Sequence, residues 1–250
     1  MSLLIFILIT LSATPVQDFF TRPYFVIWNV GQGQWLTQIT PERCQHFDMG
    51  GEFFPWKRLR QICGNKDNEI HLSHWDWDHI GALAKPALDR TLPRRCLALP
   101  PVGKTSKYKK SLLADISPCL SPASELRIWT SSTQEKDSNA RSHVLLHQNI
   151  LIPGDSPQRQ EALWSQRPWV RKSRVLILGH HGSRTSTSER LLASLPNVRL
   201  AIGSARWARY KHPHPQVLKR LRQHRLPFLR TEDWGHIWIE GGESQTAVGK

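Results

Sequence analysis

The stretch His71-Leu-Ser-His74-Trp-Asp76-Trp-Asp78-His79 decides how this 250-residue chain is read. A short strand, Glu69–Leu72, runs into it, and four side chains able to ligate a metal then fall within six residues: His74, Asp76, Asp78 and His79. Strand alternation sends His74, Asp76 and Asp78 toward one side, and His79 opens a helix predicted over His79–Leu88 and stopped near Pro86. Imidazoles and carboxylates crowded at a strand exit can meet at one point, which a metal site requires. A polar surface loop is the bland alternative, and the two interleaved tryptophans after an apolar strand speak against it.

Two further segments repeat the pattern. Asn149-Ile-Leu-Ile-Pro-Gly-Asp155 is an apolar strand that delivers one carboxylate at its end. Val175-Leu-Ile-Leu-Gly-His180-His181-Gly182-Ser183 does the same with two imidazoles. Either alone reads as an ordinary strand exit. Together, three buried strands ending in His, Asp, Asp and His describe a dinuclear metal site at one edge of a layered sheet.

Outward from these exits, short apolar runs alternate with amphipathic ones. Strands are predicted at Tyr24–Val30 and Trp35–Thr40 around the turn Gly31-Gln-Gly33, and at Arg95–Leu99, Leu126–Thr130, His143–His147, Asn149–Pro153, Arg174–Leu178, Val198–Gly203 and His236–Ile239. Helices are predicted at Pro157–Gln166, Ser188–Leu195 and Pro215–His224, with polar loops over residues 101–110 and 131–142. The alternation, without any repeat, argues for one α/β layered domain.

The ordered set His-x-Asp-x-Asp-His, Gly-Asp and His-His-Gly-Ser resembles the metallo-β-lactamase superfamily. More closely, it resembles the C-terminal metallo-β-lactamase-like domain of ComEC, the DNA-uptake channel protein of natural transformation. Asn29-Val-Gly-Gln-Gly33, Asp48-Met-Gly50, Asn139-x-x-Ser142, His212-Pro-His214-Pro and Thr231-Glu-Asp-Trp-Gly235 also match, so the likeness runs from about residue 24 to residue 239. It implies an αββα four-layer sandwich over residues 23–250 and two divalent ions, zinc or manganese. By this resemblance His74 and Asp76 hold one ion. Asp78, His79 and a histidine of the pair His180–His181 hold the other, and Asp155 bridges them. Where related hydrolases place a third histidine, the ComEC-like pattern has asparagine, here Asn139; His143 and His147 compete for that role but read as strand residues. Two positions depart from the pattern: Gln34 replaces an aspartate, and Lys211 replaces a glycine ahead of His-Pro.

Composition sets the outer limits. Apolar residues make up 39% and charged ones 22%, which excludes wholesale disorder, and no apolar run reaches the length of a membrane-spanning helix. The net charge of +14 points to an anionic partner, and residues 151–250 hold 17 of the 34 basic but only 7 of the 20 acidic side chains. The apolar start over residues 1–22 reads as a signal peptide or membrane anchor, hence an exported, periplasmic location. In that compartment Cys44–Cys63 and Cys96–Cys119 are the local disulfide pairings; four buried free cysteines are the alternative.

The resemblance implies metal-assisted phosphodiester hydrolysis, and so a nuclease acting on DNA during uptake, partnered by a membrane DNA-uptake channel. Asp78 would orient the nucleophile, and His212 or His214 would stabilise the transition state or protonate the leaving oxygen, unless His-Pro-His-Pro only rigidifies its loop. Arg206, Arg209, Lys211, Lys219, Arg220 and Arg222 are the expected contacts to a phosphate backbone, with Trp207 or Trp234 as base-stacking candidates. Two other readings compete: a metallo-hydrolase of a small ester, lactone or phosphodiester, and a catalytically weak DNA-binding accessory protein, suggested by Gln34 and the absent third histidine.

Overall fold

The computed structural model describes residues 23–120, 126–132, 134–241 and 248–249; the expected leader over 1–22 lies outside the described residues. Strict two-residue alternation builds the layers. In β1 (Tyr24–Ile27), Phe25 and Ile27 point to one face, and Val26 points to the other. The same switch occurs in β8 (Ile150–Ile152), where Ile150 and Ile152 oppose Leu151, and in β9 (Val175–Ile177), where Val175 and Ile177 oppose Leu176.

One set of these side chains, with Leu36, Phe47, Leu145 and Ile202, fills the space between two sheets. The opposite sets each meet a layer of helices. Fully burying each such aliphatic side chain contributes about 1.5–3 kcal/mol, so period-2 apolarity on both faces can only be satisfied by covering both faces. The result is an αββα sandwich, as the family resemblance implies.

The first sheet continues through β2 (Leu36–Ile39), β3 (Arg43–Phe47), β4 (Asp67–His71) and β5 (Arg95–Leu99), with β12 (Ile237–Glu240) and β13 (Val248–Gly249) beyond β1. The second contains β6 (Arg127–Trp129), β7 (Val144–His147), β8, β9, β10 (Leu200–Gly203) and β11 (Phe228–Arg230). Neighbours run parallel from β3 to β5 and from β8 to β11. Parallel strands send their exits to a common edge, and the site is built there.

Several elements differ from expectation. The strand β3 and the helix α1 (Trp56–Cys63) are not among the expected elements; β3 lacks a clear apolar period because its Gln45 and His46 are buried in a hydrogen-bonded network with Glu69, Thr37 and Asn68. The predicted helix at His79–Leu88 is three pieces: α2 (Trp77–Ile80), a 3-10 turn at Gly81–Ala84, and α3 (Ala87–Thr91). Pro86 prevents continuity, having no N–H to give to the preceding turn. The expected loop 101–110 is a loop only in part, since α4 (Lys107–Ala114) begins where Ser106 accepts a hydrogen bond from the Lys109 N–H. The remaining helices are α5 (Gln158–Trp164), α6 (Glu189–Ala193), α7 (Trp207–Tyr210), α8 (Pro215–Gln223) and α9 (Thr231–Trp234).

Both local disulfides form. Cys44 on β3 joins Cys63 at the end of α1, and Cys96 on β5 joins Cys119, closing loops with separations of 19 and 23 residues. Closing loops of this size stabilises a fold by about 2–4 kcal/mol per bridge. Reduction with dithiothreitol is therefore expected to lower the urea midpoint markedly, and Cys44→Ser together with Cys63→Ser to reproduce about half of that loss, as read by circular dichroism.

Candidate metal centre

Strand β4 ends at His71, so the ligand-rich stretch is a loop followed by one helical turn rather than an alternating strand. Asp78 and His79 both lie in α2, and Asp76 precedes it as the N-cap residue. Two glycines let neighbouring chain approach this turn. A side chain at Gly50 would lie 2.1 Å from the Asp78 carbonyl carbon, and one at Gly33, whose φ is +147°, would meet Gly51 at 2.4 Å and the Asp78 oxygen at 2.9 Å. These contacts give the Val-Gly-Gln-Gly and Asp-Met-Gly motifs a physical reason. On the second sheet, His180 and His181 both take left-handed backbone angles (φ +49° and +55°) just beyond β9, turning their rings back toward the β8 exit.

Asp155, 2% exposed, is where the three exits meet. Its Oδ1 lies 3.0 Å from His79 Nε2 and 3.8 Å from His181 Nε2. Its Oδ2 lies 3.5 Å from His180 Nε2 and 3.9 Å from His74 Nε2. His74 Nε2 is in turn 3.5 Å from Asp76 Oδ2, and His181 Nε2 is 3.2 Å from Asp78 Oδ2. Asp78, His79, Asp155 and His181 offer ligand atoms that all lie within 4.8 Å of one another.

In His74, His79 and His181 the other ring nitrogen is held so that a deprotonated Nε2 would present its lone pair. His181 Nδ1 donates to the Ser204 carbonyl at 3.0 Å, and His79 Nδ1 to Asp48 Oδ2 at 2.7 Å. The Ser73 hydroxyl donates to Asp48 and so accepts from His74 Nδ1 at 2.9 Å. Acceptors behind Nδ1 leave Nε2 free for a cation. His74 Nε2 and Asp155 Oδ1 are buried without a hydrogen-bond partner, and a divalent ion would satisfy both. Two carboxylates with two imidazoles suit a divalent ion.

Electrostatics agree. Burial opposes the charge on Asp155, yet His79 and His181 outweigh it and hold the carboxyl well below its usual range. Burial likewise disfavours a charged His79, but Asp155 and Asp48 raise its pKa well above the ordinary value. Burial also opposes ionisation of Asp78, which His181 and His79 nonetheless keep ionised.

Solved structures with this architecture place it among known folds. The metallo-β-lactamase fold protein YhfI from Bacillus subtilis superposes with a TM-score of 0.55 at 12% identity, over 88% of this chain and all of that one. A diphosphatase of the PhnP family gives 0.52 at 11% identity, over 90% of this chain and all of that one. The chain has the metallo-β-lactamase fold. Its sequence is similar to competence-related proteins over shorter stretches. Recombination protein 2 of Haemophilus influenzae is 38% identical over 106 residues, 40% of this chain, and ComE operon protein 3 of Bacillus subtilis 41% over 66, 26% of this chain. Competence protein ComA of Neisseria gonorrhoeae is 36% identical over 102 residues, 38% of this chain. These matches span only 13%, 8% and 15% of the relatives' own lengths. No protein-family model matches the chain.

Within this metallo-β-lactamase fold the remaining sequence candidates separate. His212, half-buried and followed by a cis peptide, has its ring centroid 6.4 Å from that of His180. His214 instead caps α8, its Nδ1 accepting from the Gln216 N–H at 3.2 Å. His143 has both nitrogens engaged, with Thr130 Oγ1 at 2.7 Å and the Pro100 carbonyl at 3.0 Å, and His147 bonds Gln38 across the sheets at 2.6 Å. Asn139 Oδ1 is buried and unpartnered.

Arg206 and Arg209 both bind Glu52, at 3.1 and 2.9 Å, and Arg220 donates to the Ser186 and Thr187 carbonyls. Lys219 and Arg222 are exposed, and Lys211 adopts φ +56°, the left-handed conformation that explains a glycine in the family pattern. Asp48 and Ser73 have no role assigned from the sequence, where Asp48 appears only within the Asp-Met-Gly motif and Gln34 only as a departure; here all three form one network behind His79.

Because a cation must displace the proton held on His79, affinity is expected to fall as pH drops through the raised pKa of that ring, and binding to release protons. Calorimetry in buffers of differing ionisation enthalpy reads that release. Asp48→Asn should weaken the metal about 10–100-fold, since Asp48 supports His79.

Proposed function

We propose that this protein is a metal-dependent nuclease that cleaves phosphodiester bonds of DNA during its uptake. The observation that carries the reading is the convergence on Asp155, where one buried carboxylate faces imidazoles from both sheets with separate oxygens. His74 and Asp76 would hold one cation, and Asp78, His79 and His181 the other, with Asp155 facing both sets. Divalent ions held there would supply Lewis acidity toward water and a phosphate oxygen. Asp78, kept ionised by its histidine neighbours, orients the attacking water.

His212 acts from the rim. Gln32 Oε1 accepts the Arg206 N–H at 3.2 Å, so its amide NH2 faces His212 Nδ1, also at 3.2 Å. Nδ1 is thereby the acceptor and Nε2 carries the proton. Burial, with His181 and His180 nearby, lowers the pKa of His212 to about 4, so the ring is neutral at physiological pH. A neutral N–H donor suits a leaving oxygen that gains charge.

The two disulfides support an oxidising, extracytoplasmic location, and among the described residues no helix is long and apolar enough to cross a membrane. Likeness to competence proteins supports a membrane DNA channel as partner. Gln34 gives no support to a catalytically weak accessory protein, because its amide donates to Asp48 at 2.7 Å and so serves His79 from behind.

Purified protein with Mn²⁺ or Zn²⁺ should cleave labelled DNA, and Asp78→Ala should reduce the rate by at least about 10³-fold. Gln32→Ala should lower kcat about 10–100-fold with KM little changed. Turnover of small esters with DNA untouched would overturn the reading.

A further inference from the structure

Resting on the nuclease reading, we propose that Trp77 and Tyr108, with the lysines of α4 and the loop before it, form a stacking platform for the bases of single-stranded DNA. Trp77 stands between Asp76 and Asp78 and is 44% exposed; Tyr108 is 59% exposed. Their ring centroids lie 6.0 Å apart, tilted by 46°, and Lys109 Nζ sits 4.8 Å from the Trp77 centroid. Packing does not account for this exposure. Helix α4 has no fully buried residue, and Tyr108 projects from it into solvent.

The platform is fastened to the centre at two points. Lys109 Nζ donates to the Trp75 carbonyl, in the ligand loop itself. Arg141, one residue before Ser142, donates to the Lys104 carbonyl at 3.2 Å, and a side chain at Gly103 would collide with the Arg141 guanidinium. The Ser142 hydroxyl in turn accepts the Asp155 N–H at 3.1 Å. These contacts tie α4 and the loop before it to the segments that carry the ligands.

Charge favours a polyanion. Lys104, Lys107 and Lys110 are exposed, and no ion pair involves them among the described residues, whereas Arg206 and Arg209 are paired with Glu52 and Arg220 with backbone carbonyls. A base stacked on Trp77 brings its adjoining phosphate toward the carboxylates on either side of that residue. Only an unstacked base offers its face to a side chain, so the form recognised is a single strand. A lipid surface fits less well, since two rings among lysines make no continuous apolar face.

The test uses the full metal-loaded chain and a fluorescein-labelled oligothymidylate with cleavage-resistant phosphorothioate linkages, read by anisotropy. Trp77→Ala and Tyr108→Ala should each weaken binding about tenfold, and Trp77→Phe should recover most of the loss. Lys107→Glu with Lys110→Glu should lower the salt slope by about 1 for each lysine. Tyr108 lies outside the ligand loop, so its variant keeps the test valid if Trp77→Ala fails to fold.

Unchanged affinity in the Tyr108→Ala variant, equal affinity for the same sequence as a duplex, or a Trp77-dependent preference for phosphatidylglycerol vesicles would each overturn the platform. Cleavage of ordinary DNA with unchanged KM in Trp77→Ala and Tyr108→Ala would remove the platform and leave the nuclease reading standing. Platform-dependent binding without cleavage by the wild type would do the reverse.

Discussion

A carboxylate buried among imidazoles governs this molecule. Ionised Asp155, far from water, would cost several kcal/mol if left unpaired. It is relieved only if the exit of β4 on one sheet and the exits of β8 and β9 on the other reach the same point. The register of the two sheets is thereby tied to the chemistry. Side chains such as Ile152, Ile177 and Phe47, close to those exits, pack the sheet interface that holds the two edges together. The αββα arrangement and the metal centre are one constraint expressed at two scales.

The same coupling extends to the basic C-terminal part, whose excess charge is easily taken for a DNA-binding face. Glu52 draws Arg206 and Arg209 to itself and accepts the Gln32 N–H at 3.0 Å. Burial tends to raise the Glu52 pKa, but Gln32 and Arg206 together bring it below the ordinary value. One carboxylate thus fixes the start of α7 against the Gly31–Gly33 turn, and through Gln32 it sets the orientation of His212. The arginines there shape the rim of the centre, while the exposed lysines on α4 remain open to solvent. Net charge by itself does not say where on the surface an anion would bind, because charge counts carry no information about internal pairing.

Legibility followed the same physics. Strands such as Arg95–Leu99 and the β9 run are plain in the sequence because their apolar runs are continuous. The His74–His79 cluster is plain because ligand spacing is local. The helix α4 was partly hidden, since Lys-Tyr-Lys-Lys resembles a polar loop and nothing there packs fully into a core. The strand β3 was hidden for the opposite reason: His46 bonds Thr37 and Asn68, so a buried strand presents polar residues. Pairing of His180 with Asp155 Oδ2 and of His181 with Oδ1 depends on two successive left-handed residues, which no spacing rule distinguishes.

The substitution at position 34 shows why a departure from a family pattern must be judged by contacts. An aspartate there would face Asp48, whose Oδ2 already accepts from Ser73 and His79. Two carboxylates so close would compete for one proton or require another cation between them. The Gln34 amide is a donor instead, at 2.7 Å, and it leaves the negative charge of Asp48 directed at His79. The exchange alters the layer behind one imidazole rather than the set of atoms facing Asp155. The ligands rest on several supports, Asp48 for His79, Ser204 for His181, and Ser73 with Ser142 for His74, and position 34 touches them only through Asp48.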